Sequence, residues 1–304
     1  MRKIIFAFCF LLFAILESEE LPEIEYDKLE VGEEQTLEVM TWNIQNFPKS
    51  DFTIDYAADI INAVDPDIIG FQEIESDSAF FCLIDQLNAL DKHNWSGYRA
   101  NRNYWKLELA FIYKTDLIGV SGIYEIFFGE WQPFPRSPLV LECTFADQEI
   151  IIVNNHFKAR TGAENEARRR AAVEKLDAWI LANHPDDNVI VLGDLNDQLI
   201  DEGAANVFTS LLQKPAEYRF VDYEIAQNDS ADWSYPYWKY RGHIDHILIS
   251  NELYDEFESS QEFVKVVTID KFMEGGDDAR YKYITDHRPV VVKLKFEMPE
   301  EEKE

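Results

Sequence analysis

Apolar residues along this chain fall into two spacings. Short, dense, β-branched runs at Leu37 to Trp42, Asp67 to Phe71, Leu109 to Tyr113, Leu139 to Phe145, Glu149 to Val153, Val189 to Leu192, Ile244 to Ile249 and Pro289 to Phe296 read as strands. Between them lie segments with helical periodicity: Thr53 to Val64, Ser78 to Leu90, Ala163 to Asn183 and Ala204 to Gln213. Asp65-Pro66 and Pro185 stop the first and third of these helices, since proline cannot continue an α-helix. Strands outnumber helices, and both are spread over the whole length. No Gly/Ser-rich or Pro-rich linker and no repeat divides the chain. The pattern predicts one α/β (α+β) domain over residues 37–296, built as a layered sandwich of two mixed sheets covered by helices.

The strands end in an unusual way. The first leads into Asn43, the second into Gln72-Glu73, and Ile150–Val153 into Asn154, Asn155 and His156. Val189–Gly193 leads into Asp194, with Asn196 two residues on, while Asp245 sits at the head of one late strand and Asp286-His287 just ahead of the last. Any one of these is an ordinary strand cap or turn residue. Their repetition in such restricted chemistry points to one site, because the ends of adjacent strands lie only about 5 Å apart. A buried acid or imidazole costs several kcal/mol unless it is paired or bound, so these groups belong at the mouth of the sheets.

The donors Asn43, Glu73, Asp194, Asn196, Asp245 and Asp286 are all oxygen ligands. That set suits Mg²⁺ or Mn²⁺, with Ca²⁺ as a structural ion, rather than zinc. His156 and His287 remain for proton transfer. No serine or cysteine sits in a nucleophile elbow, and no Gly-rich loop marks a nucleotide cradle. Hard-metal carboxylates with acid–base imidazoles suit attack of water on phosphorus.

Composition adjusts this picture. Of 304 residues, 28 are basic and 58 acidic, a formal charge of −30. Such a chain has no broad basic face for tight duplex binding, so an anionic substrate must be met by a few local cations or by metal. Residues 1–18 resemble a secretory signal peptide: Arg2 and Lys3 precede an apolar run from Ile4 to Leu16, shorter than the about 20 residues that span a bilayer. A secreted or periplasmic location follows. Residues 19–36 read as an acidic flexible leader and 297–304 as a charged tail. Cys82 and Cys143 permit one disulfide, but lying in a helical and a strand pattern they fit two buried free thiols better.

The blocks Trp42-Asn43, Gln72-Glu73, His156, Gly193-Asp194-Leu195-Asn196-Asp197, Ile244-Asp245-His246 and Thr285-Asp286-His287 resemble the endonuclease/exonuclease/phosphatase superfamily, which includes deoxyribonuclease I and the exonuclease III type of repair endonuclease. The likeness runs over residues 37–296 and is closest to bacterial secreted nucleases. It implies a four-layer α/β/β/α sandwich. It also implies that Asn43, Glu73 and Asp286 form the metal site, and that His156 and His287 are the catalytic histidines. Asp194 and Asn196 would position the attacking water and the phosphate, and Asp245 would orient His287.

Other positions carry weaker signals. Arg136, in a Pro-Arg-Ser-Pro turn, resembles the phosphate-binding arginine of secreted deoxyribonucleases, although a structural arginine fits the turn equally. Glu108 is a candidate to orient His156, and Tyr104 or Trp105 to contact a sugar or phosphate. Trp233 to Gly242 is rich in aromatic residues and fits either a stacking rim or a packed turn. Arg168, Arg169 and Arg170, among Glu164, Glu166 and Glu174, read as a salt-bridged solvent face. His243 and His246 would fall on opposite faces of a strand and so not form a chelating pair.

The expectation is a secreted, divalent-metal-dependent phosphodiesterase. It would be a nuclease that meets DNA or RNA transiently, as a monomer without stable membrane association or protein partner. The alternative is a phosphatase or phospholipid phosphodiesterase of the inositol phosphate or sphingomyelin type.

Overall fold

The computed structural model describes residues 21–102, 107–237 and 240–298. The signal-like residues 1–18, Tyr104, Trp105 and most of the charged tail lie outside the described residues. The first half contains β1 (Leu37–Phe47), α1 (Thr53–Val64), β2 (Ile68–Ile74), α2 (Asp77–Ala89), β3 (Trp95–Arg99), β4 (Glu108–Lys114), β5 (Gly119–Glu125), β6 (Leu139–Phe145) and β7 (Gln148–His156). The second contains α3 (Ala163–Asn183), β8 (Asn188–Asp194), α4 (Thr209–Leu212), β9 (Tyr218–Phe220), α5 (Tyr223–Gln227), β10 (Asp245–Ser250), α6 (Tyr254–Ser259), β11 (Val264–Val266), α7 (Gly276–Tyr283) and β12 (Val290–Leu294).

Two six-stranded mixed sheets result, in the orders β11-β12-β1-β2-β4-β3 and β5-β6-β7-β8-β10-β9. Alternate residues along the central strands face opposite apolar layers. Val39, Ile68, Phe111, Leu141, Ile152, Leu192, Ile247 and Val292 meet between the sheets. Met40, Ile69, Ile112 and Val291 pack outward with α1 and α2, while Val153, Val189 and Val191 pack outward with α3. Strands buried on both faces read as continuous apolar runs, which is why the sequence pattern was so dense. The architecture is the α/β/β/α sandwich.

Register explains why the site residues meet. β1 runs parallel to β2 and antiparallel to β12, so Asn43, Gln72 and the residues just before Val290 share one end of the first sheet. In the second sheet β7 runs parallel to β8 and β10 antiparallel, which places His156 and Asp245 on either side of Asp194. The two ends are tied across the sandwich. Gln72 Nε2 donates to Asn154 Oδ1 at 2.8 Å, and Asn154 Nδ2 donates to the carbonyls of Phe71 (2.9 Å) and Ala110 (3.1 Å).

Several expectations are corrected. The stretch read as a flexible leader packs against the domain from Ile24 onward. Ile24, Leu29 and Val31 enter the outer core, and the N–H groups of Val31 and Gly32 donate to the Val64 carbonyl. The helix expected over Ala204 to Gln213 is reduced to a 3₁₀ turn and the short α4. Asn206 between them donates to the carbonyls of Leu199 and Asp201 and accepts the Phe208 N–H, side-chain bonds that compete with the helix ladder. Edge strand β5 is half exposed and lacks an apolar run, and β9 and β11 have three residues each, too short to register as periodicity.

The arginine triplet is not a salt-bridged face. Buried Arg169 donates to Asp197 at 2.8 Å and to the carbonyls of Lys158 and Arg160, while Arg168 and Arg170 hold the carbonyls of Trp131, Gln132, Ala204 and Asn206. Both cysteines are free, Cys143 buried as expected and Cys82 exposed. Among the described residues no helix is long and apolar enough to cross a membrane.

His243 and His246 do not lie on opposite faces, but share one carboxylate. His243 precedes β10, so strand alternation does not separate the two rings. Their Nε2 and Nδ1 atoms respectively meet the same Asp222 oxygen, at 2.9 and 2.5 Å. His243 Nδ1 accepts the Ser234 N–H, which fixes its neutral tautomer, and His246 Nε2 donates to the Asp197 carbonyl. Hydrogen bonds thus account for every ring nitrogen, and the cluster is a structural knot below Asp245. Burial works against both charges, but the partners prevail. Asp222 is held well below the usual carboxylate range, and His246 is raised above its ordinary value by Asp222, the Asp197 carbonyl and Asp245.

Asp222→Asn should therefore destabilise the protein by about 3–5 kcal/mol, the cost of orphaning a buried charge. The sign differs on the two sides. The lowered Asp222 contributes above its unfolded pKa of about 3.9 and loses that contribution as pH falls. The raised His246 contributes fully below about 6.5 and loses it as pH climbs through its elevated value. Urea unfolding of wild type and variant across pH should show the largest gap from about pH 4 to neutrality, narrowing in acid. A gap independent of pH would contradict the ion pair.

Candidate active site

Asp194, at the end of β8, is buried at the centre of the cluster. Its Oδ2 accepts from Asn43 Nδ2 at 2.9 Å and lies 3.4 Å from His156 Nε2 and 3.9 Å from His287 Nε2. Its Oδ1 accepts the Asn196 N–H at 3.1 Å. Gly193 makes this approach possible, because a Cβ there would lie 2.0 Å from the Asn155 carbonyl oxygen and its φ is +140°. Burial, then the neighbouring charge of Asp245, lifts the Asp194 carboxyl above its ordinary range. Asn196 adopts φ +55° and donates its amide to the Phe157 carbonyl.

Glu73 faces the same space because β2 is irregular there. The pairing register with β4 shifts between Phe71 and Ile74, and Glu73 takes φ +65°. Strict alternation would have put Glu73 on the face opposite Gln72; the irregularity re-aims it. Its Oε1 lies 3.5 Å from Asn43 Nδ2 and 3.8 Å from His156 Nε2, and its Oε2 accepts the Asn46 N–H at 3.1 Å. Gln45 and Asn46, both at positive φ, form the turn that supplies this N–H. Gln45 Nε2 donates to Asp286 Oδ2 at 2.7 Å, and Lys49 Nζ donates to Gln45 Oε1.

The histidines are held in opposite states. His287 Nδ1 is 2.7 Å from Asp245 Oδ2. Burial alone would discharge the ring, but Asp245, by charge and hydrogen bond, with Asp194 and Asp286, lifts it to about 10, so it is an imidazolium at neutral pH. His156 is driven well below its ordinary value by burial and by the charges of Arg136 and His287, so it is neutral. Its Nδ1 is buried without a hydrogen-bond partner, and the expected orientation of His156 by Glu108 is not present. Glu108 instead starts β4 opposite Ile74, and its charge, after burial, raises Glu125.

Arg136 Nε donates to the Leu107 carbonyl at 3.2 Å, and its largely buried guanidinium lies in the field of Glu73, Asp194 and Glu108. The structure thus gathers Asn43, Glu73, His156, Asp194, Asn196, Asp245, Asp286 and His287, with Arg136 beside them. It adds residues that strand-end reasoning passed over. Thr285 Oγ1 donates to the Asn43 carbonyl at 2.8 Å and accepts the His287 N–H at 3.1 Å, and Arg280 donates to the carbonyls of Thr285 and His287. Ser234 Oγ accepts the N–H groups of Ile244 and Asp245. Thr285 lay in view within Thr-Asp-His, whereas Arg280 and Ser234 have no local sequence signal.

The donor set fits a hard divalent cation. Glu73 and Asp286 keep some exposure at the mouth, Asn43 can share its amide oxygen, and every ligand atom is oxygen. The raised Asp194 points the same way, since it reflects carboxylates crowded in a buried site without full compensation.

Comparison with known proteins agrees with this geometry. The model of the Endonuclease/Exonuclease/phosphatase family matches residues 40–287. Among solved structures, a humanized TDP2 from D. rerio superposes with a TM-score of 0.66 at 13% identity, over 86% of this chain and 100% of that one. The human Nocturnin catalytic domain gives a TM-score of 0.61 at 15% identity, over 86% of this chain and 94% of its own. An endonuclease/exonuclease/phosphatase protein from Bacteroides vulgatus gives 0.61 at 16% identity, over 86% and 99%. No curated protein sequence matches. On the family match and the shared sandwich, this chain belongs to the endonuclease/exonuclease/phosphatase family.

Proposed function

We propose that this protein is a divalent-metal-dependent phosphodiesterase that hydrolyses nucleic acid, exported by its signal-like N-terminus. The observation that carries the reading is the pair of histidines, one neutral and one charged, facing one carboxylate, Asp194. Groups whose surroundings push their pKa values apart divide acid and base roles between them. Asp194, fixed by Asn43 and the Asn196 N–H, holds the attacking water, and neutral His156 beside it accepts the proton. His287, kept charged by Asp245, gives a proton to the leaving oxygen. Arg136 faces the phosphate. A cation held by Glu73, Asp286 and Asn43 would neutralise charge on the phosphoryl oxygens. A D. rerio TDP2 structure described as complexed with a single-strand DNA product adds support for a nucleic-acid substrate.

Chelation should abolish turnover, and Glu73→Gln should lower it by at least about 10²–10³-fold, the scale of one lost electrostatic group. The assay is purified protein with Mg²⁺ or Mn²⁺ against plasmid DNA, RNA, sphingomyelin and inositol phosphates. Full activity in excess chelator would rule out the metal; rapid hydrolysis of a lipid or inositol phosphate with nucleic acid intact would favour the alternative substrates.

Asp245 and His287 should behave as one unit. His287→Ala should cost about 10²–10⁴ in turnover, the usual range for general acid–base catalysis. Asp245→Asn keeps the shape but removes the charge, and should reproduce much of that loss. The double variant should be scarcely worse than His287→Ala. Losses that multiply would separate the two residues.

A further inference from the structure

The aromatic segment before β10 is folded as a tight ribbon. The N–H groups of Tyr235 and Gly242 donate to each other's carbonyl at 2.9 Å, and the Tyr240 N–H donates to the Tyr237 carbonyl at 2.9 Å. Arg241 pins its base. The guanidinium lies 4.1 Å from the Trp233 ring centroid and donates to the carbonyls of Asp229 and Ala231.

From this ribbon a row of rings leads out of the catalytic centre. Tyr235 lies 4.9 Å from the His287 ring, and Tyr237 lies 5.8 Å from Tyr235. Beyond it stand Tyr240, 6.3 Å from Tyr237 and within 10° of parallel, and Tyr281 of α7, 5.8 Å from Tyr237. Exposure grows outward: Tyr235 and Tyr237 are half-buried, whereas Tyr281 is 40% and Tyr240 63% exposed. Lys49 Nζ sits 3.7 Å from the Tyr281 centroid and reaches Gln45, which in turn holds Asp286. One cation therefore stands where the row meets the metal-side acid.

We propose that Tyr237, Tyr240 and Tyr281 form a stacking platform for unpaired bases beside the scissile phosphodiester, which makes single-stranded nucleic acid the substrate class. The proposal rests on the nuclease reading above. Three observations carry it. The row is continuous with the catalytic histidine. It opens to solvent at its far end, where a cluster serving only to fill the core would close. A net charge of −30 works against the many phosphate contacts by which a duplex is gripped. Bases stacked on aromatic rings supply sequence-tolerant affinity that does not depend on many phosphate contacts, and paired bases do not offer their faces in this way. Lys49, its ammonium held between Gln45 and Tyr281, meets a backbone phosphate at the inner end of the row.

The test uses the full chain with Mn²⁺ or Mg²⁺ and three substrates of one sequence: a single-stranded oligonucleotide, the same strand with abasic residues beside the cleaved bond, and the blunt duplex. Sphingomyelin vesicles and inositol phosphates form separate arms. The Tyr240→Ala, Tyr281→Ala double variant should raise KM for the single strand by about 10–100-fold, following from loss of one to two stacked bases, with kcat changed far less. On the abasic strand wild type should already show that rise, and the alanine changes should add under about threefold, since the ring and the base are two halves of one contact. Tyr240→Phe with Tyr281→Phe should restore the wild-type KM, which also guards against a folding defect in the alanine variant. Alanine changes that leave KM for the single strand within about twofold, or a lower KM for the duplex than for the single strand, would overturn the platform while the nuclease reading stands. Hydrolysis of sphingomyelin or inositol phosphate with every oligonucleotide intact would overturn the nuclease reading and the platform with it.

Discussion

The structure depends on hydrogen bonds that cross from one sheet to the other at a single end of the sandwich. Asn43 of the first sheet holds Asp194 of the second at 2.9 Å, and Asp245 of the second holds His287 of the first at 2.7 Å. Gln72 and Asn154 add a third crossing deeper in. Each of these groups is buried and would be costly alone, so each crossing is satisfied only when the sheets are packed in the correct register. Slipping one strand by a single residue would turn its polar end away from its partner and its apolar set away from the core. The polar cluster and the inter-sheet core are thus specified by the same condition.

The charges follow from that burial. Two imidazoles within a few ångströms of Asp194 end in opposite states because only one has a carboxylate on its far nitrogen. Asp245 holds His287 charged, while burial, then the charges of Arg136 and His287, drives His156 neutral. Neither state is a property of histidine itself. Below them the Asp222 knot performs a mechanical task with the same chemistry. Its two rings, the Asp197 carbonyl and Ser234 fix the backbone that presents Asp245. Against an overall charge of −30, the positive charge at the site is local: Arg136, His287 and, beyond Gln45, Lys49.

Much of this was legible in the sequence. Every central strand announced itself, because strands buried on both faces must be apolar throughout, and the polar residues that terminate them stood out against those runs. Asn43, Glu73, His156, Asp194, Asp245 and His287 were visible for that reason. Glu108 does not orient His156, whose Nδ1 has no hydrogen-bond partner, although its place at the head of β4 suggested it. The pairing of His243 with His246 was concealed because strand alternation was extended two residues too far upstream; β10 begins at Asp245. Gln45, Arg280 and Ser234 act through backbone groups or through residues distant in sequence, and no local pattern marks such roles. The segment 21–36 looked unstructured because its few apolar side chains pack against another element rather than forming a face of their own.

Strained backbone recurs around the polar cluster as well as in loops elsewhere. Gln45, Asn46, Glu73 and Asn196 all take positive φ, a region that non-glycine residues enter at a cost of order 1–3 kcal/mol. Each departure has an evident consequence. Glu73 turns toward Asn43, Gln45 and Asn46 wrap Asp286 and Glu73, and Asn196 presents its N–H to Asp194. The strain persists because strands on either side are fixed by apolar contacts on both faces, which leave the turn no lower-energy alternative. The extensive core of this sandwich therefore does more than stabilise the fold. It supplies the rigidity that keeps four unfavourable backbone conformations aimed at one small volume, where carboxylates of like charge would otherwise drift apart.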